Sequence, residues 1–224
     1  MKVLVIDTAL GACTVGVFDG DRPLAVRSEV MSKGHAEKIG GLVRDVVAEA
    51  GATLGGFEAL DRIGVTVGPG SFTGLRVGLA FAQGLGAALD IPVVGISTLA
   101  ALARTADAGV GDTAAIIDAR RGQVYLQTFH DGVPDRLAEA IPVEAAGALL
   151  SAPRISRRLV GSGAILMDEA AADALVNPTA EALAALTLAT HPDRAPPAPL
   201  YLRAPDAIPP TRLPGQPRPT SVRP

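Results

Sequence analysis

GPGSFTGLRVG, residues 68–78, lies between the apolar run IGVTV and a long Ala/Gly/Leu stretch. A strand that ends in glycines and hydroxyls and then enters a helix often cradles a phosphate, because unpaired amides and the positive end of the helix face the anion. A Walker A loop, G-x-x-x-x-G-K-[ST], also needs a lysine to neutralise phosphate charge. Here five residues separate Gly68 from Gly74, and Leu75–Arg76 follow without a lysine. The Walker reading fails. Two readings stay open: the amides of residues 71–74 hold an anion, or Ser71 or Thr73 simply caps the helix.

Working outward, KVLVIDT (2–8), CTVGVF (13–18) and PLAVRSEV (23–30) read as three antiparallel strands, with DGD (19–21) as a turn. The period then changes. Ile39, Leu42, Val43, Val46, Val47 and Ala50 follow helical spacing, with Ser32 expected to cap the start and Gly51 the end. RIGVTV (62–67) is the next strand, the opening loop leads into a helix through Asp90, and IPVVGI (91–96) is a further strand. STLAALARTA begins another helix, with Ser97 as its cap. The order βββαβαβα predicts a mixed sheet with helices packed on it.

A first lobe is expected over residues 1–105. A second, smaller lobe is expected over 106–203: a hairpin through DARRGQVY, a helix at PVEAAGALL, a strand at RRLVGSGA, and helical stretches near 167–175 and 179–190. Residues 204–224 are dense in proline and are expected to form a disordered tail.

At 224 residues, folding removes roughly 70–75% of the unfolded surface from water, so no staple is required. With aromatics at 3% and no Trp, the core must be aliphatic. The single cysteine, Cys13, excludes an internal disulfide and points to a reducing compartment. No signal-peptide pattern opens the chain and no apolar run reaches 18 residues, so a cytoplasmic protein without a membrane span is expected. A formal net charge of −3 argues against a dedicated nucleic-acid binder, although Arg120–Arg121 and Arg154, Arg157 and Arg158 are local basic clusters.

The chemistry-bearing residues are few. Asp7 and Thr8 at the end of the first strand fit the outline of actin-like ATPases, or Asp7 caps its own turn. His35, His130 and His191 form no H-x₃-H pair and there is no C-x₂-C, so no metal site is expected. Ser71 lies in no nucleophile elbow, Cys13 reads as a buried residue, and no catalytic residue is assigned.

IDT, GHAEKI, GPGSFTGLRVG, STLAALA, DARRGQVY, GSGA and PLYLR occur in this order over roughly residues 1–203. Together they resemble the bacterial TsaB (YeaZ-type) family of the tRNA threonylcarbamoyladenosine machinery. The resemblance implies an α/β, actin-like ATPase (ASKHA) fold of two lobes, the second reduced. It implies a non-catalytic scaffold and activator of a TsaD-like threonylcarbamoyltransferase acting on adenosine 37 of tRNA, with a small TsaE-like ATPase as a further partner and no cofactor of its own. Where TsaD has a metal-binding histidine pair, this chain has STLAALA. The alternative is an ATP-dependent phosphotransferase of the actin-like superfamily. For that role only Asp7 is well placed, with Asp118 a poor second.

Two surfaces follow as expectations. The helix after the opening loop carries one apolar stripe through Leu75, Gly78, Leu79, Ala82, Leu85, Gly86 and Leu89 and a second through Val77, Ala80, Phe81, Gly84, Ala87 and Ala88. The second stripe, with Ile39, Val43 and Val46 of the first helix, is expected to form the partner interface, or to pair with itself as a homodimer in isolation, unless the second lobe or the first helix covers it within the monomer. Gly78, Gly84 and Gly86 suggest close helix–helix approach, since each costs about 0.5–1 kcal/mol relative to alanine. Arg120 and Arg121 are candidates for tRNA contact within the complex, or are ordinary solvated charge.

Overall fold

A computed structural model describes residues 1–107, 111–151, 157–171 and 175–203. The expected tail at 204–224, Arg154, and residues 172–174 of the helix expected near 167–175 lie outside the described residues.

The first sheet contains β1 (Lys2–Asp7), β2 (Ala12–Asp19), β3 (Arg22–Val30), β4 (Arg62–Gly68) and β5 (Val93–Ser97), in the spatial order β3-β2-β1-β4-β5. The three N-terminal strands are antiparallel, and β1, β4 and β5 run parallel. Helices cover both faces of the sheet, which is why β1 reads as an uninterrupted apolar run. Leu4 and Ile6 pack toward α1 (His35–Leu54) and α2 (Phe72–Leu89). Val3 and Val5 pack toward α3 (Thr98–Asp107) and α5 (Ala180–Ala189).

The second sheet is built around the hairpin of β6 (Asp112–Arg120) and β7 (Gln123–His130). β8 (Val133–Pro134) and β9 (Glu139–Pro142) pair with β7, and β10 (Arg158–Val160) lies parallel to β6. α4 (Val143–Leu150) packs on this sheet through Ala146. α3 joins the lobes: Ala101 belongs to the first core, and Leu99, Leu102 and Ala103 pack with Ala115, Ile117 and Phe129 of the second.

The observed order of elements through α3 is the one the sequence predicts. Several local expectations change. α1 begins after Gly34, whose φ of 85° suits glycine, and no side chain caps it, so Ser32 is not the cap. Gly51 interrupts that helix with φ 49° and ψ −133°, and one more turn follows it. Among the described residues of the stretch expected as a helix near 167–175, there is a short 3₁₀ turn at Glu169–Ala171 and no longer helix. Although the sequence assigns 106–203 to one lobe, α5 seats Ala180, Leu183 and Ala184 against Val3, Val5 and Phe18 of the first sheet.

α2 is long and apolar enough, by length and composition alone, to cross a membrane, unlike the expectation from apolar runs. Its inner face instead packs on the sheet through Leu75, Gly78, Leu79, Ala82 and Gly86. Two of its glycines are explained there: a Cβ on Gly78 would overlap the Thr8 hydroxyl, and one on Gly86 would overlap Val93. Close approach to strands, rather than to another helix, requires them. Gly84 has only open space where a Cβ would stand. Accordingly, Gly78→Ala should cost about 1–3 kcal/mol by overpacking. Gly84→Ala should stabilise the chain by about 0.4–1 kcal/mol, since helical propensity and unfolded-state entropy both favour alanine. Urea unfolding of the two variants checks the contrast.

Candidate functional site

The GPGSFTG loop leaves β4 and turns into α2 around a neighbouring piece of backbone. A Cβ on Gly70 would overlap the Ala9 carbonyl oxygen, and one on Gly74 would overlap that of Thr8. Ser71 N donates to Ala9 O at 2.7 Å, and Thr8 Oγ1 donates to Gly74 O at 2.8 Å. Ser71 caps α2, its hydroxyl accepting from Gly74 N at 3.2 Å. The glycines therefore admit residues 8 and 9 of the same chain. Two of the amides offered to an anion, those of Ser71 and Gly74, are already committed.

Of the candidate anion-binding residues, Asp7 and Thr8 are fully buried and Thr73 is exposed on the first turn of α2. Only Ser71 lines the cleft between the lobes. Asp7 Oδ1 accepts from Ala9 N at 2.9 Å and from Thr66 Oγ1 at 2.7 Å, so it caps its own turn. Its Oδ2 is buried without a partner. Burial pushes the Asp7 carboxyl above the usual carboxylate range, against the Ala9 amide, the Thr66 hydroxyl and the nearby His35, which favour the charged form.

The cleft encloses about 630 Å³ between Leu10, Val30 and Ser71 on one side and Asp118, Arg120 and Tyr125 on the other. Arg120 and Arg121 are exposed at the β6–β7 turn with φ of 64° and 55°. Arg120 pairs with Asp118 at 3.1 Å, and Asp118 Oδ1 also accepts from Arg120 N at 2.7 Å. Asp118 is thus occupied in shaping the turn.

The second stripe of α2 does face outward: Ala80, Gly84 and Ala88 are exposed, while Val77 and Phe81 are half-buried. From α1 the structure removes three candidates. Ile39, Val43 and Val46 are buried in the first core against Cys13, Val15 and Val17, because the apolar side of α1 is needed by the sheet. Gly40, beside the Phe81 ring, is the exposed neighbour on α1, with a prospective Cβ 3.7 Å from Phe81 Cε2. Sequence periodicity marks the apolar side of a helix without saying whether sheet or solvent meets it. The signal that could have located the exposed part is the run of small residues.

Two mixed sheets with helices on their faces, joined at a cleft bordered by the loop entering α2, define an actin-like ATPase fold. The ethanolamine utilization protein EutJ of Carboxydothermus hydrogenoformans shares it at 14% identity, with a TM-score of 0.50 over 83% of this chain and 89% of that one. A family model for TsaD, tRNA N6-adenosine threonylcarbamoyltransferase, matches residues 26–158. The tRNA threonylcarbamoyladenosine biosynthesis protein TsaB of Escherichia coli is 39% identical over 131 residues, 58% of this chain and 55% of that protein. The chain thus spans about half the length of that relative. A solved Pseudomonas aeruginosa protein described as similar to the peptidase YEAZ is 29% identical, with a TM-score of 0.74 over 90% of this chain and 99% of that one. The chain belongs to this family, as a TsaB/YeaZ-type member.

The buried Asp7 carboxyl gives a testable pH dependence. Its folded pKa lies above its unfolded value, so the folded state holds the proton longer, and stability is lost as pH rises from about 4 through the raised value. Asp7→Asn keeps an acceptor for Ala9 N and Thr66 Oγ1 and cannot ionise. The difference in unfolding free energy, variant minus wild type, should increase over that window and then level off. A difference that is flat with pH would show that Asp7 titrates normally.

Proposed function

We propose that this chain is a non-catalytic scaffold and activator of a TsaD-like threonylcarbamoyltransferase in the modification of tRNA adenosine 37. One observation carries the reading: the loop that could cradle a phosphate is filled by the chain's own Thr8 and Ala9. The surface proposed for the partner is the outer face of α2 at Val77, Ala80, Phe81, Gly84 and Ala88, with Gly40 beside it; exposed Ala80, Gly84 and Ala88 support it. A glycine in a helix interior with open space beside it carries a conformational cost that nothing within the monomer repays. Close approach of a partner helix accounts for it. The name of the E. coli relative, a threonylcarbamoyladenosine biosynthesis protein, supports the same assignment.

In this reading a TsaD-like chain supplies catalysis, a TsaE-like ATPase joins the assembly, and tRNA is met only within it, in the cytoplasm. Without the partner, the same face pairs two copies of this chain. Val77→Glu, Phe81→Glu and Gly84→Leu, made singly, should each weaken binding of the TsaD-like chain roughly 10-fold or more, a loss of about 1.4 kcal/mol. Circular dichroism establishes folding and sedimentation reads assembly. Three folded variants with unchanged affinity would place the interface elsewhere.

The exposed Arg120–Arg121 turn is the proposed tRNA contact. Reversing both charges should lower tRNA-dependent activity of the complex, and the loss should shrink as salt is raised, because phosphate contacts act through counterion release. Equal activity of variant and wild type at physiological salt would return the pair to ordinary surface charge.

A further inference from the structure

The C-terminal part of the described chain returns across the first lobe as an extended strap. Gly95 N donates to Ala195 O at 2.8 Å, Gln83 Nε2 to Pro197 O at 2.6 Å, and Leu200 N to Val67 O at 2.7 Å. Arg203 Nη1 donates to Ala119 O of the second lobe at 3.0 Å. The strands are shaped to receive it. A Cβ on Gly95 would overlap the Pro196 carbonyl, and one on Gly68 would press on that of Leu200 at 3.1 Å.

The strap fixes one side chain in the open. Leu200 packs against the first core and Leu202 against the core of the second lobe, so Tyr201 between them points outward. Its ring centre lies 5.7 Å from that of Phe72, with 32° between the planes. The Arg76 guanidinium sits 3.7 Å over the Phe72 ring, and Arg76 Nε donates to the Tyr201 hydroxyl at 3.3 Å. Phe72 is 55% exposed and Tyr201 48%, in a chain with five Phe, two Tyr and no Trp. Arg76 is the only charged residue of α2.

We infer that Phe72, Arg76 and Tyr201 are the anchor with which the outer face of α2 grips its protein partner. This rests on the function proposed above and assigns the strap a part in the interface. Phe72, Arg76, Ala80, Gly84 and Ala88 recur every four residues, so the cluster continues the small-residue face along one ridge of the helix. Exposed aromatic rings beside an arginine are the residue types that dominate interface energetics. The three groups are already held against one another, so less freedom is lost when a partner arrives. The occupant is the TsaD-like chain, through a surface that offers an apolar side chain to the two rings and a carboxylate to the guanidinium. A carboxylate is required because Arg76 would otherwise be desolvated without a counter-charge. A stacked RNA base is the other chemistry that suits such a cluster. It is disfavoured here, because no second cation accompanies Arg76 on α2 to meet the phosphates.

Binding of the TsaD-like chain, measured by sedimentation and calorimetry, tests the anchor with Tyr201→Ala, Tyr201→Phe and Arg76→Gln beside Gly84→Leu. Tyr201→Ala and Arg76→Gln should each weaken binding 10-fold or more with the melting temperature preserved, and Tyr201→Phe should lose only part of that. If Gly84→Leu disrupts assembly while Tyr201→Ala and Arg76→Gln do not, the anchor is refuted and the α2 face stands. If none of the four matters, the proposed interface fails and takes the anchor with it. Unchanged affinity for protein combined with weaker retention of tRNA by the complex would make the cluster an RNA platform and overturn the inference.

Discussion

The seating of Thr8 and Ala9 in the loop between β4 and α2 is the contact on which the organisation of the first lobe depends. It joins the end of the central strand to the start of the longest apolar helix through backbone contacts that only glycine at positions 70 and 74 permits. The Thr8 hydroxyl reaches Gly74 O, the Ala9 carbonyl takes the Ser71 amide, and Asp7 is drawn inward to hold the Ala9 amide. A loop with the composition of a phosphate cradle thereby becomes a packing joint. Two of the amides that could hold an anion, those of Ser71 and Gly74, and one oxygen of the Asp7 carboxylate are thereby turned to internal work.

Once that joint fixes α2 on the sheet, the helix has one face in and one face out. The inward glycines are compelled by Thr8 and Val93, whereas Gly84 on the outward face has no internal cause. On the proposed function, that asymmetry separates packing from recognition on a single helix. The strap of residues 195–203 adds to it, running from the edge of the first sheet past the start of α2 to the β6–β7 hairpin. It links the proposed partner face with the turn that carries Arg120 and Arg121.

Much of the architecture is legible in the sequence, for a physical reason. Strand and helix periods are local, so KVLVID, RIGVTV and the amphipathic pattern of α1 each announce their elements, and Ser71 and Ser97 announce helix starts. Long-range seating is not local. Nothing near Ala180 or Leu183 says that α5 returns to the first sheet, and nothing near Tyr201 says that it meets Phe72. The same limit explains the misplaced candidates. Helical spacing marks Ile39, Val43 and Val46 as apolar, but the sheet, not a partner, claims that side. Asp7 and Thr8 have the residue types of a phosphate site, and their burial depends on a loop some sixty residues away, as the Thr8–Gly74 separation of 66 positions illustrates.

Hydroxyl-radical footprinting of this chain, alone and with the TsaD-like chain, reads the assignment of surfaces in one experiment. Phe72, Phe81 and Tyr201 report on the outer side of α2, and Tyr125 reports on the interlobe cleft. Partner binding is predicted to lower the oxidation of the first three residues and leave Tyr125 unchanged. Protection of Tyr125 with Phe72, Phe81 and Tyr201 unaffected would contradict it, placing the partner in the cleft rather than on the helix.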